Sequence, residues 1–342
     1  MTQVAILGTG LIGSSIGLRL HEKRIYPDLT VVGFDRYRRS GQAAQKVGAV
    51  DRLVNDPQLA VQDADLVILS APVLSNHWLM EQIGSALKPH AVVTDTGSTK
   101  AETLRQARKH LPTTVSFIGG HPMAGKIEVG AEAAESTLFE GARWVVVPPS
   151  DAPERSVNAI VHLAEQMGAE PMFMDADEHD AYVAAISHLP MVAAISLFRL
   201  VRGSEAWPEL SLLAAGGLKD STRVAGTDPA VAYDIVVTNR EQIAHWIDRL
   251  RESLGELKDQ LRDPANDENL FKLLAQTELE YASYRAGKVG RESATQLPDA
   301  ARFDFSSFIM GEAVKQKMHE ITNAQEERVR ERDAERRVRR EI

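Results

Sequence analysis

The chain has 342 residues, of which 44% are hydrophobic and 25% charged, with a formal net charge of −9 and no cysteine. The length predicts about two domains, the acidic balance argues against nucleic-acid and anionic-membrane partners, and the lack of cysteine excludes disulfides and thiolate metal sites. We expect no metal site. The sequence shows no leader pattern, and no uninterrupted apolar run approaches the roughly 20 residues that span a bilayer, so it predicts a soluble, cytoplasmic protein.

The first half of the chain alternates short apolar runs with amphipathic segments. The runs predict buried strands at 3–7, 30–34, 66–70, 91–94, 115–118, 144–147 and 171–174. The segments that separate the first four of these strands predict helices at 11–20, 41–47 and 77–87. Strands that alternate with helices predict an α/β domain with a doubly wound parallel sheet, here over residues 1–174.

After Asp175 the strand signal stops and long helical patterns follow. They predict helices at 178–202, 207–218, 230–261 and 266–286, and therefore an all-α second domain over residues 175–342. The final stretch, 326–342, is almost wholly charged, and its interspersed acidic residues favour a solvated helix over a nucleic-acid arm.

A glycine-rich motif, Gly-Thr-Gly-Leu-Ile-Gly, lies between the first predicted strand and the first predicted helix. This context is typical of the dinucleotide-binding turn of a Rossmann-type domain, in which the helix N-terminus receives the phosphates. We assign cofactor binding here to Gly8, Gly10, Leu11, Ile12 and Gly13.

Asp35 ends the second predicted strand, at the spacing expected of a carboxylate that binds the adenosine ribose. Such a carboxylate repels a 2′-phosphate, so it favours NAD over NADP. Arg36, Arg38 and Arg39 leave the preference open, because arginines there would suit a 2′-phosphate. Alternatively, Asp35 is a surface carboxylate paired with one of them.

Two further segments follow predicted strands, at the sheet edge where α/β proteins bind ligands. Ser70 and Pro72 are assigned to the nicotinamide side of the cofactor site. Ser98 is a candidate hydrogen-bonding group in the cleft, and Glu102 nearby indicates that it is alternatively, or also, a helix N-cap.

His121 lies in a Gly- and Pro-rich segment, 119–125, directly after an apolar run. We expect a stiff loop that holds one imidazole beside the nicotinamide, where a hydride-transfer enzyme handles a proton. The alternative is a structural histidine with its hydrogen bonds satisfied.

Five segments together resemble the prephenate/arogenate dehydrogenase family, which makes the tyrosine precursor. In chain order they are GTGLIG at 8–13, DTGSTK at 95–100, GGHPMAG at 119–125, SHLP at 187–190 and KDSTRVAGTDP at 219–229. The resemblance implies a nicotinamide-binding domain, a helical dimerisation domain and an active site between them.

The resemblance also implies roles for individual residues. His121 would take a proton from the 4-hydroxyl of a cyclohexadienol, and Ser98 would orient His121 or that hydroxyl. Arg223 would pair with a substrate carboxylate, and His188 would line the substrate pocket. Alternatively, Arg223 caps the preceding helix or pairs with Asp220, and His188 is packed in the core.

The chain departs from the family pattern in three places. Met191 stands where many bacterial relatives carry a second histidine. We see no chorismate mutase domain before the fold, and past Leu261 the charged helices do not resemble the β-rich regulatory module of some relatives.

The sequence therefore predicts a homodimeric NAD-dependent oxidative decarboxylase of prephenate, with arogenate as the alternative substrate and Asp234 as a candidate to select it. Apolar residues on more than one face of segments 182–200 and 231–250 favour the dimer. The competing classes are a β-hydroxyacid dehydrogenase and a non-catalytic dinucleotide sensor.

Overall fold

The structure is a computed structural model that describes residues 2–23, 28–126, 128–287 and 290. Eight strands form one sheet: β1 Thr2–Leu7, β2 Leu29–Phe34, β3 Arg52–Val54, β4 Leu66–Leu69, β5 Val92–Asp95, β6 Ser116–Pro122, β7 Arg143–Val147 and β8 Glu170–Phe173. The α-helices of the described first half are α1 Leu11–Lys23, α2 Arg38–Lys46, α3 Pro57–Val61, α4 Val73–Ile83, α5 Ala101–His110 and α6 Glu154–Gln166. Those that follow are α7 Ala176–Val183, α8 Leu189–Arg202, α9 Trp207–Leu213, α10 Gly216–Ser221, α11 Pro229–Thr238, α12 Arg240–Arg262 and α13 Asp267–Arg285.

The strand order is β3-β2-β1-β4-β5-β6-β7-β8. Its first six strands have the order of a doubly wound dinucleotide-binding sheet, with the switch point between β1 and β4. Successive β1 residues enter different cores: Val4 and Ile6 pack on one face of the sheet, Ala5 and Leu7 on the other. The predicted α/β fold, with a sheet buried on both faces, is confirmed.

The sequence had predicted a wholly parallel sheet, but one pair of strands is antiparallel. β7 pairs antiparallel with β6, with His121 opposite Val145, whereas β7 and β8 are parallel. The described residues between β6 and β7 hold only the 3₁₀ turn Ala131–Ala133, so no crossover helix returns the chain to the parallel direction. β7 and β8 are joined through α6, as a parallel pair requires.

The predicted helix 178–202 contains a change of helix type. Residues Ala184–His188 form a π-helical turn between α7 and α8. Pro190, in the first turn of α8, has no N–H to donate, and the hydrogen-bond ladder changes register just before it.

Two other predicted helices are each two helices. The predicted helix 207–218 breaks between α9 and α10 at Ala214 and Ala215, whose backbones are extended. The predicted helix 230–261 breaks at Asn239, between α11 and α12. The prediction of 266–286 agrees with α13, whereas β3, α3 and α6 were missed, and α5 was indicated only by the possible N-cap at Ser98. The stretch 326–342 lies outside the described residues.

The chain divides into two compact units, residues 1–247 and 248–342. Within the first unit, the helices that follow the sheet have an apolar cluster of their own, which includes Ala184, Met191, Ile235 and Ile243. The second unit has a small core at Ala275 and Leu279. All candidate site residues belong to the first unit.

Candidate active site

The glycine motif forms the turn from β1 into α1. Gly8 has φ +97°, and a Cβ there would overlap the backbone of Ser70 and Ala71. A Cβ on Gly13 would overlap the carbonyl oxygen of Gly8, so this glycine lets α1 start close to the turn. A Cβ on Gly10 would meet no atom within 4 Å, which leaves open space beside the turn at the helix N-terminus. Leu11 and Ile12 begin that helix.

Asp35 follows β2 and holds the glycine turn. Its Oδ2 accepts hydrogen bonds from the backbone N–H of Thr9 at 2.9 Å and from the Thr9 hydroxyl at 3.1 Å. Its Oδ1 accepts one from the N–H of Tyr37 at 2.9 Å. Among the described residues it forms no ion pair with Arg36, Arg38 or Arg39, so the arginine-paired alternative is not what the structure shows.

Ser70 and Pro72 lie after β4, next to the glycine turn. The Ser70 hydroxyl accepts a hydrogen bond from that of Thr96 at 3.1 Å, which links the ends of β4 and β5. Pro72 is the exposed N-cap residue of α4. Both assigned residues therefore lie at the carboxyl edge of the parallel sheet.

His121 is in strand β6 rather than in the loop that the sequence had predicted. The ladder to β7 continues through Gly119, Gly120, His121 and Pro122. Gly120 permits this, because a Cβ there would overlap the carbonyl oxygen of Asp95 in the neighbouring strand. The imidazole is thus held by a strand at the same edge of the sheet as the glycine turn.

The ring of His121 is hydrogen-bonded to a second histidine that the sequence analysis missed. Its Nδ1 lies 2.9 Å from Nε2 of His179, and the two ring planes are inclined at 72°. Nδ1 of His179 lies 2.8 Å from Oδ1 of Asp180. His179 and Asp180 are both buried. The three side chains form a continuous chain that starts in α7 and ends at His121.

The sequence signal for His179 and Asp180 is weak, because they follow Asp177 and Glu178 in a run of polar residues that is common near a helix N-terminus. Their positions follow from contacts with α5 instead. Asp180 accepts hydrogen bonds from the backbone N–H groups of Lys100 at 2.8 Å and Ala101 at 2.9 Å, and so caps the N-terminus of α5. Within the described ranges, no group of three or more histidine and acidic side chains could hold a metal ion.

Burial lowers the pKa of His121 well below 6.5, and the neighbouring His179, Lys100 and His188 add to the shift. Lys100 is itself buried and donates through Nζ to the carboxylate of Asp95. The ring of His121 is therefore neutral at pH 7, and its Nδ1 is already hydrogen-bonded to His179.

Ser98 is partly buried, and its hydroxyl makes no hydrogen bond within the described part of the chain. Its predicted role as a helix N-cap is wrong, because α5 begins at Ala101 and the carboxylate of Asp180 binds its first N–H groups. His179 rather than Ser98 holds Nδ1 of His121. The Ser98 hydroxyl remains free to bind a ligand.

His188 is completely buried in the π-helical turn. Its Nδ1 lies 3.2 Å from Nδ2 of Asn239, which also donates to the carbonyl oxygen of Asp180 at 2.7 Å. Nε2 of His188 is buried and has no partner among the described residues. Burial lowers the pKa of His188 to about 4. The charge of Asp180 acts in the opposite direction, and His179 lowers the pKa further. The neutral ring thus offers one unpaired N–H.

Arg223 is exposed at the start of the 3₁₀ turn Arg223–Gly226, which packs against α8. It forms no ion pair with Asp220 or with any other described residue, so its guanidinium is free. Asp234, by contrast, is buried and occupied. It accepts a hydrogen bond from the N–H of Leu74 at 2.9 Å, at the start of α4, and its burial raises the pKa of its carboxyl.

Comparison with known proteins agrees with this arrangement. The family model "Prephenate dehydrogenase, nucleotide-binding domain" matches residues 17–172, and "Prephenate dehydrogenase, dimerization domain" matches residues 175–276. The prephenate dehydrogenase of Bacillus subtilis is 33% identical over 274 residues, which are 79% of this chain and 72% of that protein.

Two solved structures are similar in fold. That of A. aeolicus prephenate dehydrogenase, in complex with hydroxyphenyl propionate and NAD+, has a TM-score of 0.76 and 27% identity, and covers 83% of this chain and 98% of that one. Synechocystis arogenate dehydrogenase has a TM-score of 0.69 and 26% identity, with 83% and 100% covered. The two matched domains and these relatives show that the chain belongs to the prephenate dehydrogenase family.

Proposed function

We propose that this protein, an NAD-dependent dehydrogenase by family, catalyses the oxidative decarboxylation of prephenate to 4-hydroxyphenylpyruvate and CO2. One observation carries the proposal for the site. His121, a neutral imidazole held by β6, lies at the same edge of the sheet as the glycine turn, with one ring nitrogen left for a substrate.

The residues of the glycine turn fit NAD. The open space beside Gly10 suits the pyrophosphate, and the N-terminus of α1 offers it free N–H groups and a positive dipole end. Asp35 would bind the adenosine ribose. Ser70 and Pro72 would line the nicotinamide side. Bound NAD would supply the acceptor for the hydride that leaves C4 of the substrate, the ring carboxylate would leave as CO2, and the ring would become aromatic.

The side chains of this protein would handle the proton and the substrate's charges. His121 would take the proton of the 4-hydroxyl: the O–H bond breaks and an N–H bond forms at Nε2. The free hydroxyl of Ser98 would donate to the same oxygen. Arg223 would bind a substrate carboxylate through its fork of N–H donors, and the unpaired N–H of His188 would meet a substrate acceptor in the pocket.

Arogenate is the alternative substrate, and the Synechocystis relative is described as an arogenate dehydrogenase. Arogenate differs from prephenate in carrying an ammonium where prephenate has a keto group, so a free carboxylate would favour it. Asp234 had been the candidate for this role. Its carboxylate is buried and accepts a hydrogen bond from the N–H of Leu74, so it is not free to bind the ammonium of arogenate. This observation supports prephenate as the substrate.

Turnover with prephenate, arogenate and a panel of 3-hydroxyacids, each with NAD, tests the proposal. We expect the highest kcat/KM with prephenate. An enzyme at least tenfold more efficient with arogenate would reverse the choice of substrate. Turnover of the 3-hydroxyacids alone would favour a β-hydroxyacid dehydrogenase, and no turnover at all a dinucleotide sensor.

The proposal includes a homodimer formed by the helical domain, residues 175–342, with residues 1–174 as the dinucleotide-binding domain. One match is to a dimerization domain, and α8 and α9 expose large apolar side chains. Leu200 is 76% exposed, Leu212 86% and Leu213 81%. A second copy of the chain that covered them would explain why they are apolar.

The helical stretch from 176 to 202 is long and apolar enough to cross a membrane by length and composition, with a mean hydropathy of 1.7 in its most apolar window. The sequence analysis, by contrast, had found no uninterrupted apolar run long enough to span a bilayer. His179, Asp180 and His188 of this stretch hydrogen-bond inside the fold, which supports a subunit interface over a lipid contact. We accordingly propose a cytoplasmic enzyme that binds neither membranes nor nucleic acid.

A further inference from the structure

We infer that His179 and Asp180 are positioning residues that fix the tautomer of His121, so that Nδ1 of His121 carries its proton and Nε2 its free lone pair. The inference deepens the proposed function and rests on it, because a general base at Nε2 needs that lone pair.

The argument begins at Asp180, which accepts hydrogen bonds through both carboxylate oxygens. Oδ1 receives the N–H of Lys100, Oδ2 receives the N–H of Ala101, and Nδ1 of His179 also lies 2.8 Å from Oδ1. An ionised carboxylate has acceptors only. Nδ1 of His179 must therefore be the donor to Asp180.

The proton on Nδ1 decides the state of the other nitrogen of His179. The inference takes the completely buried ring of His179 to carry one proton, the one on Nδ1 that it donates to Asp180, which makes its Nε2 an acceptor. Nε2 lies 2.9 Å from Nδ1 of His121, which must then be the donor. Since His121 is also neutral, the remaining lone pair is on its Nε2, which has no hydrogen-bond partner among the described residues.

The charges around His121 favour a neutral imidazole over imidazolium. His121 faces His179 of α7, Lys100 before α5 and His188 of the π-helical turn, and all three disfavour a positive charge on it. The ammonium of Lys100 is paired with Asp95, whose carboxylate also accepts from the N–H of Gly120, next to His121. On the other side of His179 lies the acidic group of Asp180, within hydrogen-bond distance of Nδ1.

The backbone placement explains why this chain of contacts is well determined. Asp180 is fixed by the two N–H groups at the start of α5, and His121 is fixed by the β6–β7 ladder. His179 lies between these two rigid elements. Held in this way, His179 keeps the ring of His121 in one orientation and one tautomer.

The test is the tautomer of His121, measured by NMR on the full chain with 15N-labelled histidine, without substrate. His121→Asn assigns the signals. We expect the Nδ1–H form in the native protein and in His179→Gln, because the amide offers a carbonyl acceptor for His121 and an N–H for Asp180. In His179→Leu we expect the Nε2–H form, which free imidazole side chains favour.

Activity provides the second readout. For His179→Leu we expect kcat to fall by about 10- to 100-fold with KM nearly unchanged, and His179→Gln to recover most of the loss. Thr103→Val is the matched control: it removes a buried hydroxyl of α5 that bonds His77 and the carbonyl oxygen of Thr99, and it should leave both kcat and the tautomer unchanged.

An Nε2–H tautomer in the native protein would overturn the inference, whatever the activity. So would a His179→Leu variant that keeps native kcat and the Nδ1–H tautomer. Because the NMR measurement uses no substrate, failure of the native enzyme to turn over prephenate would count against the proposed function alone.

Discussion

The carboxylate of Asp35 holds Thr9 by two hydrogen bonds, at 2.9 Å to its backbone N–H and 3.1 Å to its hydroxyl. Thr9 lies inside the glycine motif, so the end of β2 determines where the glycine turn lies. The same carboxylate lies where the adenosine ribose of a dinucleotide is expected to bind.

We therefore predict that kcat/KM with NAD exceeds that with NADP by at least about tenfold, because an anion at this place repels a 2′-phosphate. Asp35→Ser should reduce the preference and also weaken NAD binding, since the turn loses its support. Steady-state kinetics with both cofactors measure this. Equal or better kcat/KM of the native enzyme with NADP would show that Arg36, Arg38 and Arg39 set the preference.

His121→Asn should fold normally and lose about 2–4 orders of magnitude in kcat, the usual contribution of general acid–base catalysis. KM should change much less, because the contact strengthens mainly in the transition state. Circular dichroism controls for folding. A fully active variant would return His121 to a structural role.

The activity of the enzyme should persist below the ordinary pKa of histidine. The base form of His121 is the neutral ring, and its pKa is lowered by burial and by His179, Lys100 and His188. Protonation therefore removes the base only at a pH below about 6.5. We expect kcat/KM to be constant from pH 8 down to 6.5 and to fall only below it.

A matched control for this pH profile is His77→Gln. The pKa of His77 is also lowered by burial, but its ring bonds Thr103 and not His121. The profile should be the same in this variant. A midpoint at or above about 6.5 in the native enzyme would contradict the prediction.

Stability should decrease in acid because of His188. Its pKa is about 4 in the folded protein and about 6.5 when unfolded, so between these values only the unfolded chain binds the proton. Its contribution to stability is present above pH 6.5 and is lost as the pH falls toward 4. The loss from pH 7 to 4.5 is about 2 kcal/mol.

Urea unfolding at the two pH values measures this loss for the native protein and for His188→Gln. The variant cannot titrate, so its stability should fall by less between the two pH values, whatever its stability at pH 7. Equal losses in both proteins would show that His188 does not carry the effect.

Sedimentation at micromolar concentration should show a dimer. Leu213→Glu, which puts a charge on the exposed face of α9, should shift the protein toward the monomer, because a buried unpaired charge is costly. Leu59→Glu is the control, since Leu59 is an exposed leucine of α3 in the dinucleotide-binding part. A native monomer, or a Leu213→Glu dimer as stable as the native one, would contradict the proposed interface.

Local patterns in the sequence predicted much of the fold. A strand buried on both faces needs a continuous apolar run, and β1, β2, β4 and β5 each have one. The glycine motif predicted its own turn, because only glycine tolerates φ +97° at Gly8 and the close contact at Gly13. Short or polar elements such as β3 were missed, since three residues give no periodicity.

Other features were set only by tertiary structure. The same apolar run can form a parallel or an antiparallel strand, so the sequence of β7 does not predict its direction. Its antiparallel pairing follows from its connection to β6. The pairing of His121 with His179 joins residues 58 positions apart and needs α7 to pack on α5. Sequence periodicity records which residues are buried, whereas the partner of a buried polar group depends on which distant elements meet, and here that packing decided which residue holds His121.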